Sequence, residues 1–190
     1  MEKETYFETI KCDDYSVLNL EYHNKRIANT IALNINLQEY IYPPTNKLLK
    51  CKVIYNDEGI LDVHYSEYKK REIKSFKIIY DNNIEYSKKS TNRIYLDSLF
   101  KKRDNCDEII IVKNNIVHDT SIANIAILYK GTWITSKSCL LKGTTRHRYL
   151  NDNLLIEKNI TLDMLRSADK IALMNAMIDF YEIKGDIQII

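Results

Sequence analysis

Asp119 is the residue whose surroundings demand most of it. It stands in Glu108–Asn124, EIIIVKNNIVHDTSIAN, after the apolar run Ile109-Ile110-Ile111-Val112, the pair Asn114-Asn115 and a shorter run, Ile116-Val117. Asn side chains tolerate the left-handed backbone of a tight turn. The stretch therefore reads as strand, turn and strand, with the carboxylate and Asn124 at its exit. An unpaired charge in apolar surroundings is costly, so Asp119 needs a partner. The plainer alternative is an Asx-turn that closes the loop. Four more positions carry chemistry. Lys89 lies beside Lys88 in the polar stretch Asp81–Asn92, DNNIEYSKKSTN, and offers an amine that can attack a carbonyl. Arg26 follows His23 by one helical turn and shares its face. Gly143-Thr144-Thr145-Arg146 opens a helix, whose first N–H groups can hold an anion. Asn175-Ala176 closes a strand. Taken singly each has a bland reading: Arg26 a solvated charge, Lys89 a surface residue, Gly143 a turn.

Composition narrows the classes. The 190 residues can bury a real core, in one domain or two small lobes. The chain has 28 Lys and Arg against 26 Asp and Glu, a formal charge of +2, and its cations are scattered among acids, which is no nucleic-acid footprint. No apolar run is long enough to span a membrane. MEKETYFETIKC lacks the apolar core of a signal peptide, so a cytoplasmic protein is expected. Cys12, Cys51, Cys106 and Cys139 form no CxxC pair and read as reduced, inert thiols. Neither they nor His23, His64, His118 and His147 have zinc-like spacing, so no metal is expected; His147 stays a rim candidate. With Gly at 4 there is no glycine-rich phosphate loop.

The elements that must position these groups follow from periodicity. Thr5–Cys12 alternates as a strand, turns at Asp13-Asp14 and pairs with Ser16–Leu20. Glu21–Asn34 has helical spacing in Tyr22, Ile27, Ile31 and Leu33. After Pro43-Pro44, the segments Leu48–Tyr55, Ile60–Tyr68 and Ile73–Tyr80 read as strands, with a hairpin turn at Asn56–Gly59. Residues 1–86 are thus expected to form an N-terminal α+β lobe, with Asp81–Asn92 as the linker. Arg93–Lys102 reads as a helix resting on Ile94, Leu96 (or Tyr95), Leu99 and Phe100. Trp133–Ser136, Leu154–Glu157, Lys170–Leu173 and Ile178–Ile183 read as strands. Two helices are expected, one from Gly143 to about Asn153, capped by Thr144 or Thr145, and one over Thr161–Ser167. Residues 87–190 would form the second lobe.

Pyridoxal phosphate would use this set of groups. Its aldehyde takes a lysine amine, and its ring nitrogen takes a carboxylate that keeps it protonated. Its phosphate takes a helix N-terminus, a cation and small polar groups. Any chain of this size offers Lys, Asp and Arg, so order and wording decide. Phe7-Glu8-Thr9-Ile10 comes first, then Leu20-Glu21-Tyr22-His23 with Arg26, then Lys89 with Asn92-Arg93. Asp119 and Asn124 follow, then Gly143-Thr144-Thr145-Arg146, then Asn175-Ala176-Met177. In this order, over nearly the whole chain, the sequence resembles the class-IV aminotransferase family, the fold-type IV pyridoxal-phosphate enzymes.

The resemblance implies an α+β, two-lobed fold like that of D-amino-acid aminotransferase. The second lobe would be α/β-barrel-like and the cofactor would sit at the junction. It implies a short form, because the family's usual N-terminal segment with its Gly-Asp-Gly-type stretch is not seen before Phe7. Lys89 would carry the cofactor as a Schiff base and shuttle the proton; Lys88 beside it remains the alternative. Asp119 would stand in place of the family's usual glutamate on the ring nitrogen, one methylene shorter. Arg26 would hold the phosphate, with Gly143, Thr144, Thr145, Asn175 and Ala176; Arg146 or Lys142 would be the substitute cation. Asn124 would lie near the cofactor, and Arg93 and Arg146 would touch substrate. Lys89-Ser90-Thr91-Asn92-Arg93 resembles the K-x-x-N-R of 4-amino-4-deoxychorismate lyase, which releases 4-aminobenzoate and pyruvate for folate synthesis. A branched-chain or D-amino-acid type aminotransferase is the alternative, and a non-catalytic ligand-binding member the second. The implied partners are a small amino substrate and a second copy of the chain, as a homodimer.

Overall fold

The computed structural model describes residues 3–190; Met1 and Glu2, at the start of the expected first lobe, lie outside the described residues. The chain forms two compact units, residues 3–70 with 88–92, and residues 71–87 with 93–190. The expected division at residue 86 is therefore crossed twice.

The first unit is an antiparallel sheet of β1 (Tyr6–Asp13), β2 (Ser16–Val17), β3 (Leu49–Asn56) and β4 (Gly59–Glu67), in the order β2-β1-β3-β4, with helix α1 (Leu20–Ile31). Alternation sorts its side chains. Tyr6, Glu8, Ile10 and Cys12 of β1, and Leu49, Cys51, Val53 and Tyr55 of β3, are buried. The residues between them, Phe7, Thr9 and Lys11 and Lys50, Lys52 and Ile54, face the other way. Ile27 of α1 joins the buried face. The helix stops at Ile31, short of the expected Asn34, because Ala32 adopts a left-handed conformation with φ 55°.

The second unit holds two sheets. One runs β10-β9-β8-β11-β12, from β8 (Asn124–Tyr129), β9 (Thr132–Ser136), β10 (Ile156–Lys158), β11 (Lys170–Asn175) and β12 (Asp179–Glu182). The other runs β13-β5-β6-β7, from β5 (Ser75–Tyr80), β6 (Glu108–Lys113), β7 (Ile116–Val117) and β13 (Gln188–Ile189). The helices are α2 (Ile94–Lys101), α3 (Thr144–Asn151) and α4 (Leu162–Arg166).

The strand expected at Ile73–Tyr80 leaves the first lobe because β5 is parallel to β6. Parallel neighbours need a long crossover, and α2 supplies it. β6 is buried on both faces, which its unbroken apolar run requires. Ile110 and Val112 enter a core shared with Ile125, Ile127 and Leu173 of the other sheet, while Ile109 and Ile111 pack on Leu96 and Leu99 of α2. Ile94 is 79% exposed, so α2 rests on Leu96 and Leu99 without it. Asn114 and Asn115 have φ 51° and 63°, the left-handed pair of a tight hairpin between β6 and β7.

Candidate active site

In the first unit, the stretch that reads as a linker is tied to the sheet. Phe7 N–H donates to the Lys89 carbonyl at 2.9 Å, and Thr91 N–H to the Thr5 carbonyl at 2.9 Å. The Thr5 and Thr91 hydroxyls meet at 2.5 Å. Residues 89–91 thus extend the free edge of β1 through main-chain bonds, which hold the backbone of Lys89 whatever its side chain does. The two lysines are then sorted by the pleat. The Lys88 amine lies 5.3 Å from the Tyr6 ring centroid and the Lys89 amine 4.5 Å from that of Phe7. Tyr6 and Phe7 point to opposite faces of β1, so the amines serve opposite faces.

Arg26 and His23 meet a residue whose role sequence reasoning missed, Glu8. The Glu8 carboxylate is 0% exposed. It accepts from Arg26 Nε at 2.8 Å, from an Arg26 Nη and from His23 Nδ1 at 2.5 Å. Burial pushes its carboxyl up, but Arg26 and His23 outweigh burial and hold it at about 2. His23 is pushed down, first by burial and then by the nearby cations of Arg26 and Lys89, although Glu8 opposes this. Neutral His23 therefore donates from Nδ1, and Arg26 carries the balancing charge. The signal lay in the alternation: Glu8 occupies an inward position among Tyr6, Ile10 and Cys12, and a buried carboxylate demands a cation.

In the second unit, Asp119 is 4% exposed. It accepts from Asn124 Nδ2 at 2.7 Å and from Leu141 N–H at 3.0 Å, and Asn124 Nδ2 also donates to the Leu141 carbonyl at 2.8 Å. Burial pushes the carboxyl up to about 6, against the pull of Leu141, Asn124, the Leu140 N–H and the more distant Arg146. Gly143 packs against the same Asn124: a Cβ there would stand 2.1 Å from Asn124 Oδ1. One amide thus locks the carboxylate to the turn that opens α3. The backbone of Gly143 is extended and no side chain caps α3; Thr144 and Thr145 lie inside the helix, both buried, so neither is the expected cap. Asn175 Oδ1 accepts from the N–H groups of Met177 and Ile178, at 2.9 and 3.1 Å, closing the turn that contains Ala176, and Asn175 Nδ2 donates to the Ile122 carbonyl at 3.3 Å.

The two candidate substrate contacts are already engaged. Arg93 donates to the Ser121 carbonyl at 3.0 Å and to Tyr86 Oη at 3.3 Å, and pairs with Asp97 at 3.3 Å. Arg146 is buried, and donates to the Ser136 carbonyl at 2.9 Å and to Glu157. A direct contact from Arg146 to substrate would have to break that pair.

Gly143→Ala tests the lock. The added methyl must displace Asn124 and with it the donor on Asp119. Overpacking of this kind costs about 1–3 kcal/mol, so thermal unfolding should begin several degrees lower and cofactor retention should fall. An unchanged melting curve would mean that Asn124 moves freely and holds nothing.

These groups fit pyridoxal phosphate. A buried carboxylate with no ion pair among the described residues suits a protonated ring nitrogen, and an uncapped helix N-terminus suits a phosphate. The model of the class IV amino-transferase family matches residues 60–185 of the chain. The protein belongs to that family. Enzymes of this family depend on pyridoxal phosphate, and the protein is one of them. An uncharacterised protein of Haemophilus influenzae is 32% identical over 182 residues, covering 90% of this chain and 96% of its own. The crystal structure of a candidate 4-amino-4-deoxychorismate lyase from Haemophilus somnus is 28% identical, with a TM-score of 0.85 over 93% of this chain and 98% of that one. A hypothetical aminotransferase from Mycobacterium tuberculosis, solved with pyridoxal phosphate, is similar in fold: its TM-score is 0.77 at 14% identity, over 98% of this chain and 81% of that one. The fold is the α+β, fold-type IV architecture expected from the sequence. No helix among the described residues is long and apolar enough to cross a membrane.

Proposed function

We propose that the protein is a 4-amino-4-deoxychorismate lyase, releasing 4-aminobenzoate and pyruvate for folate synthesis. The observation that carries this reading is Lys89-Ser90-Thr91-Asn92-Arg93, the lyase-like wording on a segment whose backbone is fixed along β1. Likeness to the Haemophilus somnus protein supports it. An amino-acid aminotransferase of the branched-chain or D-amino-acid type is the second reading, favoured by the family that residues 60–185 match. We also expect a cytoplasmic homodimer.

Bound pyridoxal phosphate supplies an aldehyde and an electron-withdrawing ring. Lys89 would hold the cofactor through its amine, and the same amine, when free, would take the substrate proton. Asp119 holds the proton on the ring nitrogen, and Asn124 holds Asp119. The resemblance gives the phosphate to Arg26, and to the N–H groups of Thr144 and Thr145 and the Asn175-Ala176 turn. Arg93 and Arg146 steady the backbone around Ser121 and Ser136.

The purified enzyme, supplied with 4-amino-4-deoxychorismate, should form 4-aminobenzoate and pyruvate in equal amounts without consuming a keto acid. Glutamate formed from an amino donor and 2-oxoglutarate, with no 4-aminobenzoate, would overturn the lyase in favour of the aminotransferase.

A further inference from the structure

The outward face of the first sheet carries cations that the structure does not neutralise. Lys11 of β1 lies directly across from Lys50 of β3, and Thr9 across from Lys52. Lys52 in turn lies across from His64 of β4. Like charges set opposite each other on a sheet are destabilising. The acids on this face are Asp13, two residues beyond Lys11 on β1, and Asp62, across from Ile54 and diagonal to Lys52. Lys3, Lys47, Lys74, Lys77, Lys113 and Lys170 make ion pairs, and among the described residues none is seen for Lys11, Lys50 or Lys52. This happens in a chain with 26 acids to place. The row also points at Lys89. The Lys52 amine lies 5.1 Å from the Phe7 ring centroid, the same ring over which Lys89 lies at 4.5 Å. Beyond Lys52, the Lys11–Lys50 pair sits two residues further along the strands, roughly 7 Å away at the rise of a β-strand.

We infer that this face positions the substrate by its carboxylates: Lys52 takes the carboxylate nearest the reacting amine, and the Lys11–Lys50 pair takes a second one. The preferred amino substrates are then dicarboxylates. A carboxylate between Lys11 and Lys50 converts a repulsive pair into two charge-assisted hydrogen bonds. Phe7 and Ile54 form the apolar floor beside Lys89, and Thr9 offers a hydroxyl between the two carboxylate positions. The inference rests on Lys89 as the cofactor lysine, as proposed above.

The cofactor-loaded protein is titrated by calorimetry with 2-oxoglutarate and with 2-oxopentanoate, which have the same carbon chain and two or one carboxylates. The parent should bind 2-oxoglutarate at least about tenfold more tightly, the size of one charge-assisted bond. Lys52→Met should weaken both ligands about tenfold, and Lys52→Arg should restore most of that loss. Lys50→Met and Lys11→Met should weaken 2-oxoglutarate alone and erase the preference. Borohydride trapping on Lys89 should be unchanged in every variant. Trapping intact while the Met variants bind both ligands like the parent would overturn this inference and leave the cofactor assignment standing. A parent with no adduct on Lys89 would overturn the assignment itself, and this inference with it.

Discussion

Lys89→Ala should leave a folded protein that turns over its amino substrate at least about 10²–10⁴-fold more slowly, the range lost with a positioned acid–base group. The fold survives because this segment is held by its main chain. The Lys89 carbonyl takes the Phe7 N–H, and Thr91 N–H binds the Thr5 carbonyl, neither of which involves the amine. Borohydride reduction followed by peptide mapping should find the cofactor on Lys89 in the parent and on no lysine in the variant. Lys88→Ala should behave as the parent, since its amine lies over Tyr6, on the opposite face of β1. An adduct that persists in Lys89→Ala, or one that maps to Lys88, would remove Lys89 from the centre of the reaction.

Asp119→Asn should keep the adduct and lose turnover, by about 10²–10³-fold on the scale of other preorganised electrostatic groups. An amide cannot balance a protonated ring nitrogen. The same substitution has a signature independent of turnover. Burial holds the Asp119 carboxyl at about 6, above its value in the unfolded chain. A raised carboxyl contributes stability that is present at low pH and lost as pH rises through the folded value. Cofactor-free protein should therefore weaken as pH rises from about 4 to about 6, by roughly 3 kcal/mol in all, of which about 1.4 kcal/mol falls between pH 5 and pH 8. Glu8 acts with the opposite sign and in another window. Its carboxyl is held at about 2, so its contribution is lost as pH falls from about 4.5 through about 2. In urea unfolding at pH 5 and pH 8, Asp119→Asn should flatten the difference that the parent shows. Equal pH dependence in the two proteins would mean that Asp119 is not the group that titrates.

Much of this was legible in the sequence. The β6–β7 hairpin followed from an apolar run and Asn114-Asn115, because turn chemistry is local and those side chains accept φ > 0. The helix over Thr161–Ser167 was readable too, and Thr161 caps it: its hydroxyl accepts from Met164 N–H at 3.3 Å. The alternation of β1 and β3 set which residues face inward, and the order of motifs set the family.

Pairings between distant segments were not legible. Periodicity locates a strand at Ile73–Tyr80 without naming its neighbours; the parallel bonds to β6 and to β13 carry it into the second unit. Lys88 and Lys89 are equivalent as letters and differ only because the edge of β1 fixes their register. Arg26 reads as a removable phosphate contact. In the fold it also balances the fully buried Glu8, so its loss would strand a charge in the core. Asn124 reads as a bystander until Asp119, Leu141 and Gly143 close around it. The sequence by itself determined which segments are strands and helices, which face of each is apolar, and which chemical groups the chain carries. Tertiary structure alone decided which group meets which. Side-chain partners are chosen by strand register and packing between residues far apart in the chain, and neither leaves a local periodic trace.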